Sequence, residues 1–274
     1  VQTCALLLYH MPEMRGKDMA VRIIEDKTHN VLEAAEIRIR NLFSNGFKVY
    51  MAFSCGKDSL CMSEIVYQMI LRGEIDKSLL TVVFVDEEGL YRSMVEAAER
   101  WQKKFTKIGV PFKWMCLPFK QTSCLDKLSQ AESWITFEPG KEDIWIRQPP
   151  KGAITDSPYL KYPGQMNYQT FDKVALADGV IMTGVRIQES VQRLHAVAAM
   201  SKKTIAPGGL FYPIYDWTDN DIWLYIKENR LEFPEIYMRL YEAGCSRRNL
   251  RLCSFFGDTT TTGLRWVAQT DPEL

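Results

Sequence analysis

Lys48-Val49-Tyr50-Met51-Ala52-Phe53-Ser54-Cys55-Gly56-Lys57-Asp58-Ser59 is the stretch on which the fold turns. Lys48 to Phe53 is a short β-prone run. After the Ser54 loop, Met62, Ile65, Val66, Met69 and Ile70 recur at helical spacing and stop at Gly73. A strand that bends into a helix leaves first-turn N–H groups and the positive end of the helix dipole at one point. Gly56 is expected to supply backbone angles closed to other residues. Ser54 and Ser59 add hydroxyls and Lys57 adds a positive charge. Such a place suits phosphate oxygens, at the carboxyl end of a strand where open α/β sheets take ligands. The plainer alternative is an ordinary tight turn ahead of a helix.

Working outward, Asn30 with Glu33 reads as a helix cap, followed by Leu32, Ala35, Ile39, Leu42 and Phe43 at helical spacing and a stop at Asn45-Gly46. Leu79 to Val85 is almost wholly apolar, as a strand covered on both faces should be. Ser93 to Phe105 reads as a helix, and 112–116, 180–182 and 210–214 as further strands. This alternation predicts an α/β fold of three αβα layers around a mostly parallel, doubly wound sheet. Residues 1–29 read as an N-terminal extension, in part tag or linker, with Met19 a candidate start. Residues 30–216 form the α/β domain, and 217–274 its helical C-terminal part. The stretch at about 117–178, rich in proline, glycine and tryptophan, breaks the alternation. It reads as an irregular insertion, either a functional lid or a surface elaboration.

The chain has 274 residues, 46% hydrophobic and 25% charged, enough for a core without metal or disulfide staples. Lys plus Arg and Asp plus Glu stand at 34 each, so there is no global basic field for nucleic acid. A local cluster, Arg247, Arg248 and Arg251, is open to nucleotide phosphate, an anionic substrate, nucleic acid or simple solvation. Seven cysteines, an odd number without a C-x-x-C pair, point to a reducing, cytoplasmic compartment. No apolar run reaches the ~18 residues of a membrane span, so no membrane partner is expected. The three histidines lack ligand spacing, and no nucleophile elbow is present, which argues against metal or serine hydrolases.

Two further segments carry chemistry. Val85-Asp86-Glu87-Glu88 ends the second strand, where Asp86 is placed to hold ribose, adenine or, with phosphate oxygens, Mg²⁺; a solvated acidic turn is the alternative. Thr183-Gly184-Val185-Arg186-Ile187-Gln188-Glu189-Ser190-Val191-Gln192-Arg193 follows the fourth strand. Arg186 and Arg193 offer guanidinium forks for phosphate or sulfate, Glu189 is placed to orient one of them, and Ser190 to cap the next helix. Standing alone, such a cluster is usually a surface ion-pair set. Beyond it, Thr218 or Asp219 caps a helix that turns Ile222, Trp223 and Ile226 inward.

Ser54 to Ser59 is neither the G-x-x-x-x-G-K-S/T loop nor G-x-G-x-x-G. It resembles the PP-loop Ser-Gly-Gly-x-Asp-Ser of ATP pyrophosphatases, with Cys55 in place of the first glycine. Thr183–Arg193 resembles the Gly-x-Arg-x-x-Glu-Ser-x-x-Arg segment of the phosphoadenosine-phosphosulfate-reductase-like PP-loop family. Pro213 to Trp223 is similar to that family's Pro-x-x-x-Trp-x-x-x-Asp-Ile-Trp, and 243–258 to the tail of its phage- and plasmid-borne members. The likeness covers roughly 30–266. It implies an adenine nucleotide alpha-hydrolase-like fold that binds ATP or a related adenine nucleotide, with Mg²⁺, and cleaves its α–β phosphate bond by attack at the α-phosphate. It further implies Lys57, Asp58, Arg186 and Arg193 as catalytic residues. Ser54, Cys55, Gly56, Ser59, Asp86, Gly184 and Glu189 would join Lys57 and Asp58 in nucleotide binding, with Asp58 and Asp86 on the metal. Lys57→Ala or Asp58→Ala is then expected to abolish turnover with the fold intact.

Relatives of this kind serve sulfur metabolism and DNA phosphorothioation, which implies an unidentified acceptor substrate and partner proteins of a DNA-modification or regulatory system. One alternative is a thiol-dependent sulfonucleotide reductase. The Glu-Cys-Gly-Leu-His motif and the paired cysteines of a cluster-bearing reductase are absent from this stretch, so no iron–sulfur cluster is expected. Another is a non-catalytic, nucleotide-responsive regulatory partner. Cys55 reads as an inert small residue, or as a thiol acidified by the helix N-terminus.

Overall fold

The structure, a computed structural model, describes residues 28–121, 134–156, 167–200, 204–247 and 250–252. The chain enters through α1 (Val31–Ser44), whose cap is reciprocal. Asn30 Oδ1 accepts from Glu33 N at 2.9 Å, and the Glu33 carboxylate accepts from Asn30 N at 3.0 Å. β1 (Lys48–Phe53) leads into α2 (Lys57–Leu71), and Gly73, at φ +71°, turns the chain out of that helix. β2 (Leu80–Val85), α3 (Arg92–Lys107) and β3 (Phe112–Met115) complete the first winding. Two short strands, β4 (Lys120–Gln121) and β5 (Trp134–Ile135), pair antiparallel apart from the main sheet. α4 (Tyr168–Ala175) precedes β6 (Gly179–Met182); α5 (Val191–Met200) precedes β7 (Leu210–Phe211); α6 (Asp219–Glu228) and α7 (Ile236–Glu242) follow.

The main sheet runs β3-β2-β1-β6-β7, with every pair parallel. Met51 of β1 sits opposite Val82 on one side and Met182 on the other. The chain winds outward from β1 to β3 and then crosses back to lay β6 on the opposite flank of β1. The carboxyl ends of β1 and β6 therefore border the crevice where the winding reverses. The expected three-layer α/β architecture stands. Strand alternation sends Val49, Met51, Phe53, Val82 and Phe84 into one core with α1, α2, α3 and α6. Tyr50, Val83 and Ile181 face a second, smaller core with Leu117, Phe119, Phe171 and Leu176. Burying one large apolar side chain of this kind contributes roughly 1.5–3 kcal/mol.

Three local differences from expectation have physical causes. The last strand is only Leu210–Phe211, since Pro213 has no N–H for a ladder. α4 lies inside the proline-rich insertion, where no helix was expected, because its apolar face rests on only Phe171 and Leu176. The insertion is also tied to the sheet. The Glu88 carboxylate accepts from Phe137 N at 2.5 Å and Ile146 N at 2.7 Å, and Arg147 Nε donates to the Glu88 carbonyl at 3.1 Å. At the end of β3, Met115 forms an isolated parallel bridge with Ile154. Among the described residues no helix is long and apolar enough to cross a membrane. Residues 1–18, Met19, Arg248 and Cys253 lie outside the described residues.

Candidate active site

The bend after β1 places its unusual torsion one residue earlier than expected. Cys55 takes φ +59°, while Gly56 is ordinary extended backbone at φ −71°, ψ 153°. A left-handed conformation in a non-glycine residue costs about 1–3 kcal/mol and persists where the surroundings hold it. Here they do, because the Cys55 side chain is fully buried. That burial, with the charge of Asp86 adding to it, pushes the thiol well above its ordinary range, so helix-terminal acidification is overruled. The bend is closed by its own hydroxyls. Ser59 Oγ donates to the Gly56 carbonyl at 2.9 Å, and the two serine Oγ atoms lie 3.1 Å apart. The first helical amide, Lys57 N–H, donates to the Tyr237 hydroxyl at 2.9 Å.

The loop after β6 comes against this bend. A Cβ on Gly184 would lie 3.1 Å from Ser59 N and 3.2 Å from the Asp58 carbonyl carbon, so close that the backbone of the bend would have to shift by a few tenths of an ångström. Beside this contact sits a charge cluster. The Arg186 Nε lies 2.7 Å from Asp58 Oδ1, its Nη2 lies 3.0 Å from Asp219 Oδ1, and its Nη1 donates to the Trp217 carbonyl. Lys57 Nζ lies 3.5 Å from Asp58 and 3.6 Å from Asp219. Arg186 and Lys57 are each 2% exposed. Two cations and two carboxylates thus neutralise one another inside the protein.

In this arrangement Arg186 and Lys57, the expected phosphate partners, are each paired with internal carboxylates. Asp86 is engaged within the protein as well. It is fully buried, accepts from Trp114 Nε1 at 2.7 Å and Glu88 N at 2.9 Å, and is ion-paired to Arg147. Asp58, the other expected metal ligand, is ion-paired to Arg186. Among the described residues no group of three or more His, Cys, Asp or Glu side chains gathers as a metal would require.

What remains open is a cleft of about 360 Å³ at the carboxyl ends of β1 and β6. One wall is apolar: Val83, Val85 and Ile181 from the sheet face Phe171 and Leu176 around α4. The other end holds Ser54, Gly56 to Ser59, Gly184 and Glu189, with Arg193 and Arg251 at the rim. Arg193 is ion-paired with Glu189, and Arg251 Nη2 donates to the Glu189 carbonyl at 3.0 Å. Burial, with the like charge of Arg251 beside it, lowers the pKa of Arg193. Ser190 caps α5 as expected, its Oγ accepting from Arg193 N at 3.2 Å.

Of the candidate residues, Cys55, Asp86 and Arg186 do not line this cleft, while Arg251, Tyr168, Asp172 and Tyr237 do. Arg251 had a signal in the basic cluster near the tail. Asp172 had a weak one, as an acid beside Phe171 ahead of a strand. Tyr237 had none, since its partner Lys57 is 180 residues away.

Residues 164–251 match the family model described as "Phosphoadenosine phosphosulfate reductase domain". The matched stretch runs from α4 through Arg251 and contains the Arg186–Arg193 segment. The resemblance to phosphoadenosine-phosphosulfate-reductase-like PP-loop proteins, read from the two motifs, is thereby shown. Among curated proteins, the chain is 31% identical over 258 residues to "Uncharacterized protein YbdN" of Escherichia coli (strain K12), a match covering 87% of this chain and 61% of that protein. The chain therefore spans about three fifths of that relative's length. Among solved structures, it resembles the phosphoadenylyl-sulfate reductase of Candida auris in its phosphate complex (12% identity, TM-score 0.39, 78% of this chain and 92% of that one). It also resembles the U34-tRNA thiolase NcsA of Methanococcus maripaludis with its [4Fe-4S] cluster (12% identity, TM-score 0.42, 89% and 74%). Likenesses of that strength speak to neither site nor reaction.

Proposed function

We propose that the cleft binds ATP or a related adenine nucleotide and breaks the bond between its α- and β-phosphates. The observation that carries this is the meeting of the Ser54–Ser59 bend with Gly184 at the reversal of the sheet, around a cleft apolar at one end and cationic at its rim. The adenine ring rests against Val83, Val85, Ile181 and Phe171. The polyphosphate lies toward the start of α2, where the helix dipole and the guanidinium groups of Arg193 and Arg251 offset its charge. Lys57, Asp58, Arg186 and Asp219 hold the two loops in register and do not themselves meet phosphate.

In the reaction, a nucleophile oxygen, from water or an acceptor substrate, forms a bond to the α-phosphorus. The bond from that phosphorus to the α–β bridging oxygen breaks, pyrophosphate departs, and the nucleophile's proton passes to solvent. The cationic rim faces the charge that gathers on the leaving group. Magnesium arrives as part of the metal–nucleotide substrate, held by phosphate oxygens and water. A place in sulfur metabolism or DNA modification, with partner proteins, belongs to the same proposal.

The test is calorimetry with Mg·ATP joined to an assay for AMP and pyrophosphate. Heat of association with stoichiometric pyrophosphate release is expected. Absence of any association with ATP or related adenylates overturns the proposal, and sulfite release from phosphoadenosine phosphosulfate with a thiol reductant replaces it with the reductase reaction. Association without release leaves a nucleotide-responsive partner instead.

A further inference from the structure

Tyr237 is a residue that neither motif contains. It rises from α7 into the cleft, 1% exposed, its ring edge-on to Trp223 at 5.7 Å and near Phe233 at 6.2 Å. Its hydroxyl oxygen accepts the Lys57 amide at 2.9 Å and thus covers the first N–H of α2. A phenol that accepts one hydrogen bond still carries a proton to donate. Among the described residues that proton has no acceptor, and a buried donor takes one from outside the chain, water or ligand. The phenol lies beside Gly56, whose Cβ would stand 3.7 Å from the hydroxyl, and so at the cleft's polar end rather than along its apolar wall.

Resting on the adenine-nucleotide reading, we infer that Tyr237 is a phosphate-binding residue that relays the helix terminus to the ligand: Lys57 N–H donates to the phenol oxygen, and the phenol O–H donates to a phosphate oxygen. The relay extends the reach of α2 by the length of one hydroxyl. It favours a charged acceptor twice over, because a phenol already accepting a hydrogen bond from the positive end of a helix is polarised toward donation. Burial pushes the Tyr237 phenol far above its ordinary range, so the proton is present throughout the working pH range. The ligand class that follows is a nucleotide with its phosphates, not a nucleoside.

Tyr237→Phe keeps the ring and its neighbours and removes only the hydroxyl. Titrations of the full chain with Mg·ATP and, separately, with adenosine are expected to show ATP weakened about 10- to 100-fold, as for a hydrogen bond to a charged acceptor, with adenosine within twofold. ATP affinity unchanged in the variant overturns the relay. An equal loss for ATP and adenosine overturns it too, since that marks a general disturbance of the cleft. If the unsubstituted protein itself fails to bind ATP, the functional proposal falls first, which separates that failure from this one.

Discussion

Replacing Arg186 with methionine tests whether the buried charge cluster holds the site together. The guanidinium bridges Asp58 at 2.7 Å and Asp219 at 3.0 Å from a position only 2% exposed. Its loss leaves two carboxylates, 17% and 19% exposed, to share Lys57 alone at 3.5 and 3.6 Å. Breaking a buried pair from one side costs about 3–5 kcal/mol, because a charge is stranded out of water. At ~2–4 °C per kcal/mol for a domain somewhat smaller than this chain, the melting temperature should fall by roughly 6–20 °C. The paired variant Arg186→Met with Asp58→Asn removes one charge of each sign and leaves Lys57 with Asp219. It should recover most of the loss, a large negative departure from additivity. Thermal melts followed by near-ultraviolet circular dichroism at low and high salt provide the assay, and salt should matter little because the cluster is shielded. A single variant melting within about 2 °C of the parent, or a double variant as low as the two singles combined, would refute the reasoning. The same cluster revises the expectation that Lys57→Ala or Asp58→Ala leaves the fold intact, since either unbalances it.

Two more outcomes follow from the site. Gly184→Ala should weaken ATP at least tenfold, because its Cβ meets Ser59 N at 3.1 Å and cannot be absorbed by a side chain; Gly56→Ala, at φ −71° with its nearest neighbours at 3.4 and 3.7 Å, should fold normally and bind within about threefold, reversing the order the motif implies. Asp172 lies in the cleft with its carboxyl pKa raised by burial. A raised folded-state value means that its contribution to stability is present below the ordinary carboxylate range and lost as pH rises. Asp172→Asn should therefore melt higher than the parent at pH 7, with the difference vanishing toward pH 3, and a lower melt at pH 7 would count against it.

The alternation of runs made the sheet legible. Leu79 to Val85 reads as a doubly covered strand because Val82, Val83 and Phe84 are buried on both faces of a central strand. The caps at Asn30 and Thr218 were legible for a similar reason, as each is a contract between residues three apart. The site was legible as a location but not as a division of labour. Lys57, Asp86 and Arg186 advertise charge in one dimension, while their partners Asp219, Arg147 and Asp58 lie from about 60 to more than 160 positions away. A sequence shows which groups are ionic and conceals which ones are already answered. Position 55 misled by the opposite route. The left-handed torsion was expected at Gly56, yet Cys55 takes it and the core holds it there.

The cleft draws its walls from far along the chain, from Ser54 and Val83 through Phe171, Ile181 and Gly184 to Tyr237 and Arg251. During synthesis the bend after β1 emerges early, but its cover arrives only with α7 and the segment at Arg251. The lining of the cleft is therefore complete only when nearly the whole described chain, through Arg251, is in place.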